Sequence, residues 1–149
     1  RNDILTAKVA VGRRAIGFYA ETADALTPSD GNNWMLLLID ADNDSSTGWD
    51  GYDFVINKKV KDGRTTTLMR YDSDSEQWIE AAELPYRYEG NRLEVIVPRK
   101  LLGLTGDGFT FDFKWSDNAY ELEDPISLCL HGDTAPNRRF NYRCIWNRR

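Results

Sequence analysis

The stretch Phe109-Thr110-Phe111-Asp112-Phe113-Lys114-Trp115 alternates aromatic and polar side chains without a break. Successive side chains of an extended chain point to opposite faces. A period of two therefore puts four aromatic rings on one face and Thr110, Asp112 and Lys114 on the other. The same period recurs upstream and downstream: Ile16, Phe18 and Ala20; Tyr52, Phe54 and Ile56; Leu93, Val95 and Val97; Phe140, Tyr142, Cys144 and Trp146. Trp34 to Ile39 is almost continuously apolar, the pattern of a central strand covered on both faces or lying at the middle of the core.

Between these runs lie clusters of turn-forming residues: Pro28-Ser29-Asp30-Gly31-Asn32, Lys61-Asp62-Gly63, Glu89-Gly90-Asn91, Ser116-Asp117-Asn118 and Gly132 to Asn137. Only Arg99-Lys100-Leu101-Leu102-Gly103 reads as a helical turn, entered through Pro98 and stopped by Gly103. Short strands, frequent turns and almost no helix predict an all-β chain: an antiparallel, jelly-roll-like β-sandwich with at most one or two short helical turns. Without repeats or linkers, residues 1–149 read as one domain.

At 149 residues and net charge −5, from 19 Lys plus Arg against 24 Asp plus Glu, the chain lacks the basic balance that nucleic acid or anionic lipid requires. No apolar run approaches the ~20 residues of a membrane-spanning helix. The chain begins at Arg1 rather than Met. The expectation is therefore an excised domain or a mature product of a longer protein, with an upstream domain of the same chain as a partner. Arg138, Arg139, Arg143, Arg148 and Arg149 crowd the end and read as a solvated tail.

Cys129 and Cys144 are the two cysteines. A hairpin of 126–131 with 140–146 would face them across a ladder, allowing a disulfide and implying an oxidising compartment. Two buried free thiols are the other reading. One histidine, His131, leaves no HExxH, paired CxxC or serine-triad elbow. A glycosidase using paired carboxylates is the remaining catalytic alternative, with acids such as Glu121, Glu123 and Asp124 available.

The segment from Asp40 to Asp53 carries five Asp in fourteen residues and no Lys or Arg. Such an oxygen-only, negative loop suits a hard cation, above all Ca²⁺. Asp40, Asp42, Asp44 and Asp53 are the candidate ligands. In the competing reading these side chains accept hydrogen bonds from their own loop backbone. Ser45 and Gly51 stand where an EF-hand needs its Gly and its bidentate Glu, so that motif is rejected.

Five Trp and seven Tyr exceed the needs of a small β core. Flat rings beside Asp, Asn and Arg are what a saccharide site uses. Trp49, inside the acidic loop, leads the candidates, followed by Tyr52 and Trp78; Trp34 and Trp115 read as core. The alternative for Trp49 is an indole that anchors its own loop.

The strings NWMLLLIDADNDSSTGWDGYDFVIN (Asn33–Asn57), VPRKLLGL (Val97–Leu104), FDFKWSDN (Phe111–Asn118) and GDTAPNRRFNY (Gly132–Tyr142) occur in this order. As a set they resemble the family-nine carbohydrate-binding modules and the wider DOMON-like superfamily, over most of the chain. The resemblance implies a β-sandwich that is non-catalytic, binds sugars between paired tryptophans and carries structural calcium. Asp40, Asp42 and Asp44 would be the metal-bearing positions. It further implies a periplasmic, cell-surface or secreted setting and a place in the C-terminal part of a glycan-processing protein. A purely structural domain packed on an upstream catalytic module is the rival expectation.

Overall fold

The computed structural model describes residues 2–29, 33–117, 133–137 and 140–148. The expectations placed on Glu121, Glu123, Asp124, Cys129, His131, Arg138, Arg139 and Arg149 lie outside these residues. Ten strands follow one another: β1 (Ile4–Val11), β2 (Ala15–Thr22), β3 (Leu36–Asp40), β4 (Phe54–Val60), β5 (Thr65–Asp72), β6 (Gln77–Glu89), β7 (Arg92–Pro98), β8 (Gly108–Asp117), β9 (Asp133–Ala135) and β10 (Tyr142–Asn147). A 3₁₀ turn, Arg99–Leu102, separates β7 from β8 at the place the sequence predicts, and Gly103 closes it in the left-handed conformation.

Every ladder is antiparallel, and the strand order is β1-β2-β7-β6-β5-β4-β3-β8-β10, with β9 also on β8. The all-β antiparallel expectation is met. The sheet is continuous and curls nearly into a barrel, a topology that does not by itself define a sandwich or a jelly roll.

The long strand β6 makes the corner. Its first part, to Pro85, pairs with β5, and Tyr86–Glu89 pairs with β7. Proline has no N–H to give to a ladder, so the change of partner falls where a hydrogen bond was already missing. On the far side, side chains complete the seam. Asp117 Oδ2 accepts from the backbone N–H and side-chain amide of Asn2 at 2.9 and 3.0 Å, and its Oδ1 accepts from Met35 N–H at 2.9 Å. Asp133 accepts from Ile4 N–H at 2.6 Å.

Inside lie Phe18, Trp34, Leu37, Ile39, Phe111, Phe113 and Trp115, with Phe18 edge-on to both Phe111 and Phe113. The aromatic face of β8 is core, as its alternation predicts. Its polar face is covered as well. Lys114 is 1% exposed, and its ammonium donates to the carbonyls of Pro136 and Phe140 at 2.7 and 2.8 Å. A buried cation persists only when such acceptors surround it.

Strand β3 is buried on both faces, which is why its sequence shows no alternation. Leu37 and Ile39 enter the interior, while Leu36 and Leu38 form a second cluster on the outside with Val55, Trp49 and Tyr52. β10 lies on β8, with Cys144 opposite Phe111, and the expected hairpin of 126–131 with 140–146 falls partly outside the described residues. Cys144 is a free thiol, and burial pushes its pKa up.

Candidate metal centre

The loop from Ala41 to Asp53 leaves the end of β3, crosses the outer face of the sheet and returns as β4. Its local sequence explains the route. Trp49 N–H donates to Tyr52 O at 2.8 Å, and Tyr52 N–H donates to Trp49 O at 2.9 Å. Between them Asp50 and Gly51 both have positive φ, 51° and 90°, the requirement of the tight hairpin turn that Asp-Gly favours. Gly48 has φ 71°, and a Cβ there would lie 2.1 Å from Tyr52 O, so only glycine fits.

This turn delivers Trp49 and Tyr52 to one side, their rings stacked at 6.4 Å, over Leu36, Leu38 and Val55. Trp49 is 9% exposed and Tyr52 6%. The Tyr52 hydroxyl donates to Asn141 Oδ1 at 2.6 Å. Trp78, half-buried at the start of β6, stands 6.2 Å from Trp49 and edge-on to Tyr71 at 5.2 Å. The three aromatic candidates therefore meet in one cluster, but the rings of Trp49 and Tyr52 face protein. The reading of Trp49 as an anchor for its own loop describes its surroundings. Only Trp78 keeps substantial exposure.

Three of the four acidic candidates converge at the root of the loop. Asp40, Asp42 and Asp53 each offer a carboxylate oxygen, and these oxygens lie within 4.8 Å of one another. Asp44 is not in the group: its Oδ1 accepts from Ser46, by the backbone N–H at 2.9 Å and the hydroxyl at 2.5 Å. A regular DxD alternation would put all three loop aspartates on one side. The turn after Asp42 sends Asp44 to bond its own backbone instead, the behaviour expected of Asx turns.

Protein donors fix two members of the trio. Asp53 Oδ2 accepts from Ala41 N–H at 2.9 Å, and Asp42 Oδ2 accepts from the Thr47 hydroxyl at 2.7 Å, with Asp42 Oδ1 taking Asp44 N–H at 3.0 Å. Asp40 has no such support. It is 6% exposed, and its Oδ1 is buried without a hydrogen-bond partner. Burial, with the neighbouring acids adding to it, pushes Asp40 up to about 7. Burial likewise raises Asp53. Burial alone would raise Asp42 too, but bonds from Thr47, Asp44 and Asp40 outweigh it and hold this carboxyl below its usual range.

Three carboxylates this close repel one another unless a proton or a cation lies between them. The donor set is all oxygen, three acids of one loop root, one with an unused buried lone pair. These residues fit a hard divalent ion such as Ca²⁺. A scan against protein-family models matches no family, and neither the curated proteins nor the solved structures give a match.

Proposed function

We propose that this chain is a non-catalytic, carbohydrate-binding-like accessory domain of an exported glycan-processing protein, built on a sandwich of the family-nine type and stiffened by Ca²⁺ at Asp40, Asp42 and Asp53. The observation that carries the reading is the Asp40 carboxyl, one oxygen of which is buried without a hydrogen-bond partner, beside two others at the root of the loop that carries Trp49. An ion there ties the end of β3 to the start of β4, fixing the loop whose indole packs against Trp78. Trp78 is then the ring left to meet a sugar face, with Trp49 and Tyr52 supporting it from behind.

The test is affinity electrophoresis of the domain through gels containing a panel of plant and host polysaccharides, with and without chelator. Retardation by at least one glycan, weakened by chelator, is expected. No retardation by any of them contradicts the saccharide part of the reading.

A second reading has its own support in the burial of Trp49 and Tyr52, which leaves few rings free. In that reading the domain packs against an upstream catalytic module and binds no sugar. Deleting it from the parent protein would lower the parent's melting temperature while leaving substrate binding unchanged.

A further inference from the structure

At one end of the barrel the β1–β2 turn, the start of the 3₁₀ turn, the Thr105–Asp107 segment and the end of β10 surround a cavity of about 770 Å³. Trp146 lines it, together with Arg13, Arg14, Lys100 and Arg148. We propose that this cavity is a binding site for an anionic saccharide, a short glycan bearing carboxylate or sulfate groups. The inference rests on the saccharide reading above and names both its substrate class and a site separate from the acidic loop.

The floor is built and rigid. Arg99 is buried, and its guanidinium donates to the carbonyls of Leu104, Arg13 and Gly106 at 3.0, 2.8 and 2.7 Å. It also packs 4.8 Å from the Phe109 ring and 4.7 Å from the Trp146 ring. Arg99 is thus spent on holding the surrounding segments and Trp146 in place.

The rim is different. Arg13, Arg14 and Lys100 are exposed, and none of them forms an ion pair with a carboxylate among the described residues. Arg148 meets Asp107, the one acid lining the cavity, at 3.6 Å, with both side chains mostly in solvent. A chain of net charge −5 therefore concentrates five cations, four of them on the rim, against one carboxylate around this concavity. Its size lies within the range of small-ligand sites. Guanidinium groups recognise carboxylate and sulfate-like oxygens through paired N–H donors, and an indole accepts the C–H face of a sugar ring. Neutral glycans would leave the cations without partners.

The experiment compares the domain with an Arg13→Gln/Arg14→Gln/Lys100→Gln variant in affinity gels. The gels contain polygalacturonate, a sulfated galactan, neutral cellulose and xylan derivatives, or polyglutamate, and melting curves confirm that the variant is folded. The expected result is retardation by an acidic polysaccharide that weakens tenfold or more in the variant and falls with added salt. Undiminished retardation in the variant overturns the proposal. So does polyglutamate retarding the domain as strongly as the acidic glycans, because charge alone would then account for binding. Retardation by neutral glycans only overturns this inference and leaves the saccharide reading standing. No retardation by any glycan defeats both.

Discussion

Asp40 on β3 stands directly opposite Asp112 on β8, and among the described residues only Asp112 forms an ion pair. Arg143 of β10 grips Asp112 with two bonds, Nε to Oδ1 at 2.9 Å and Nη2 to Oδ2 at 3.2 Å. Like charges directly opposite in a ladder destabilise it. The sheet answers Asp112 with an arginine and leaves Asp40 facing Asp42 and Asp53.

Asp40→Asn tests that arrangement. The amide keeps the shape, removes one charge and supplies a donor in the place where acidic Asp40 would hold its proton. In metal-free protein at pH 8 the melting temperature should rise by a few °C, about 1 kcal/mol at this chain length. Any stabilisation by Ca²⁺ should vanish in the same variant. A lower metal-free melting temperature with a retained Ca²⁺ response would show that Asp40 is not a ligand.

The same group sets a pH dependence. Asp40 is raised to about 7 in the folded chain, and Asp53 is also raised, from 3.8 in the unfolded one. Between these values the folded state binds more protons than the unfolded state. Its stability therefore falls as pH rises through that window. Chelated protein should melt several °C lower at pH 8 than at pH 5, whereas saturating Ca²⁺ should flatten the difference. Thermal melts across pH 4.5–8.5 measure both.

Arg143→Gln removes the counter-charge of Asp112 and returns an acid to face Asp40. Arg143 is largely exposed, so solvent screens much of the effect, and the expected cost is about 1 kcal/mol. The double variant Asp40→Asn/Arg143→Gln should lose less than the sum of the two changes, because the repulsion then lacks its second partner. Urea melts of the four proteins in the cycle provide the comparison.

Trp49 and Trp78 should separate by readout. Trp49→Ala empties the outer cluster over Leu36, Leu38 and Val55 and should cost about 3–5 kcal/mol. Trp78→Ala removes a half-buried ring and should leave the fold intact while abolishing retardation by neutral glycans, which find no partner in the cations of the Trp146 cavity. If Trp78→Ala leaves retardation unchanged, the sugar contacts another surface.

The sequence disclosed the strands wherever one face was apolar and the other polar, as in Phe109 to Trp115. It also disclosed the double burial of Leu36 to Ile39, since a strand covered twice shows no alternation. It did not disclose that Lys114 is buried, because the cover comes from Pro136 and Phe140, which reach it only through the tertiary path. Strands β5 and β6 escaped because bulges and charged outward positions blur their period; Met69 pairs with Glu80 after a register shift. The acidic loop was legible as a cation candidate, yet Asp44 left the set when the chain turned after Asp42. The Asp50-Gly51 turn that buries Trp49 could have been found from its dipeptide alone. The basic cavity could not: Arg13, Lys100 and Arg148 are brought together by β1, β7 and β10, and the terminal arginines by themselves read as a solvated tail.

The most direct measurement is calorimetric titration of Ca²⁺ into chelator-treated domain near pH 7, paired with thermal melts. One ion per chain should bind, with a heat that depends on the buffer because Asp40 releases a proton. Saturation at about 100 times the dissociation constant should raise the melting temperature by roughly 5–10 °C. No heat and no shift in melting would contradict the metal centre at Asp40, Asp42 and Asp53.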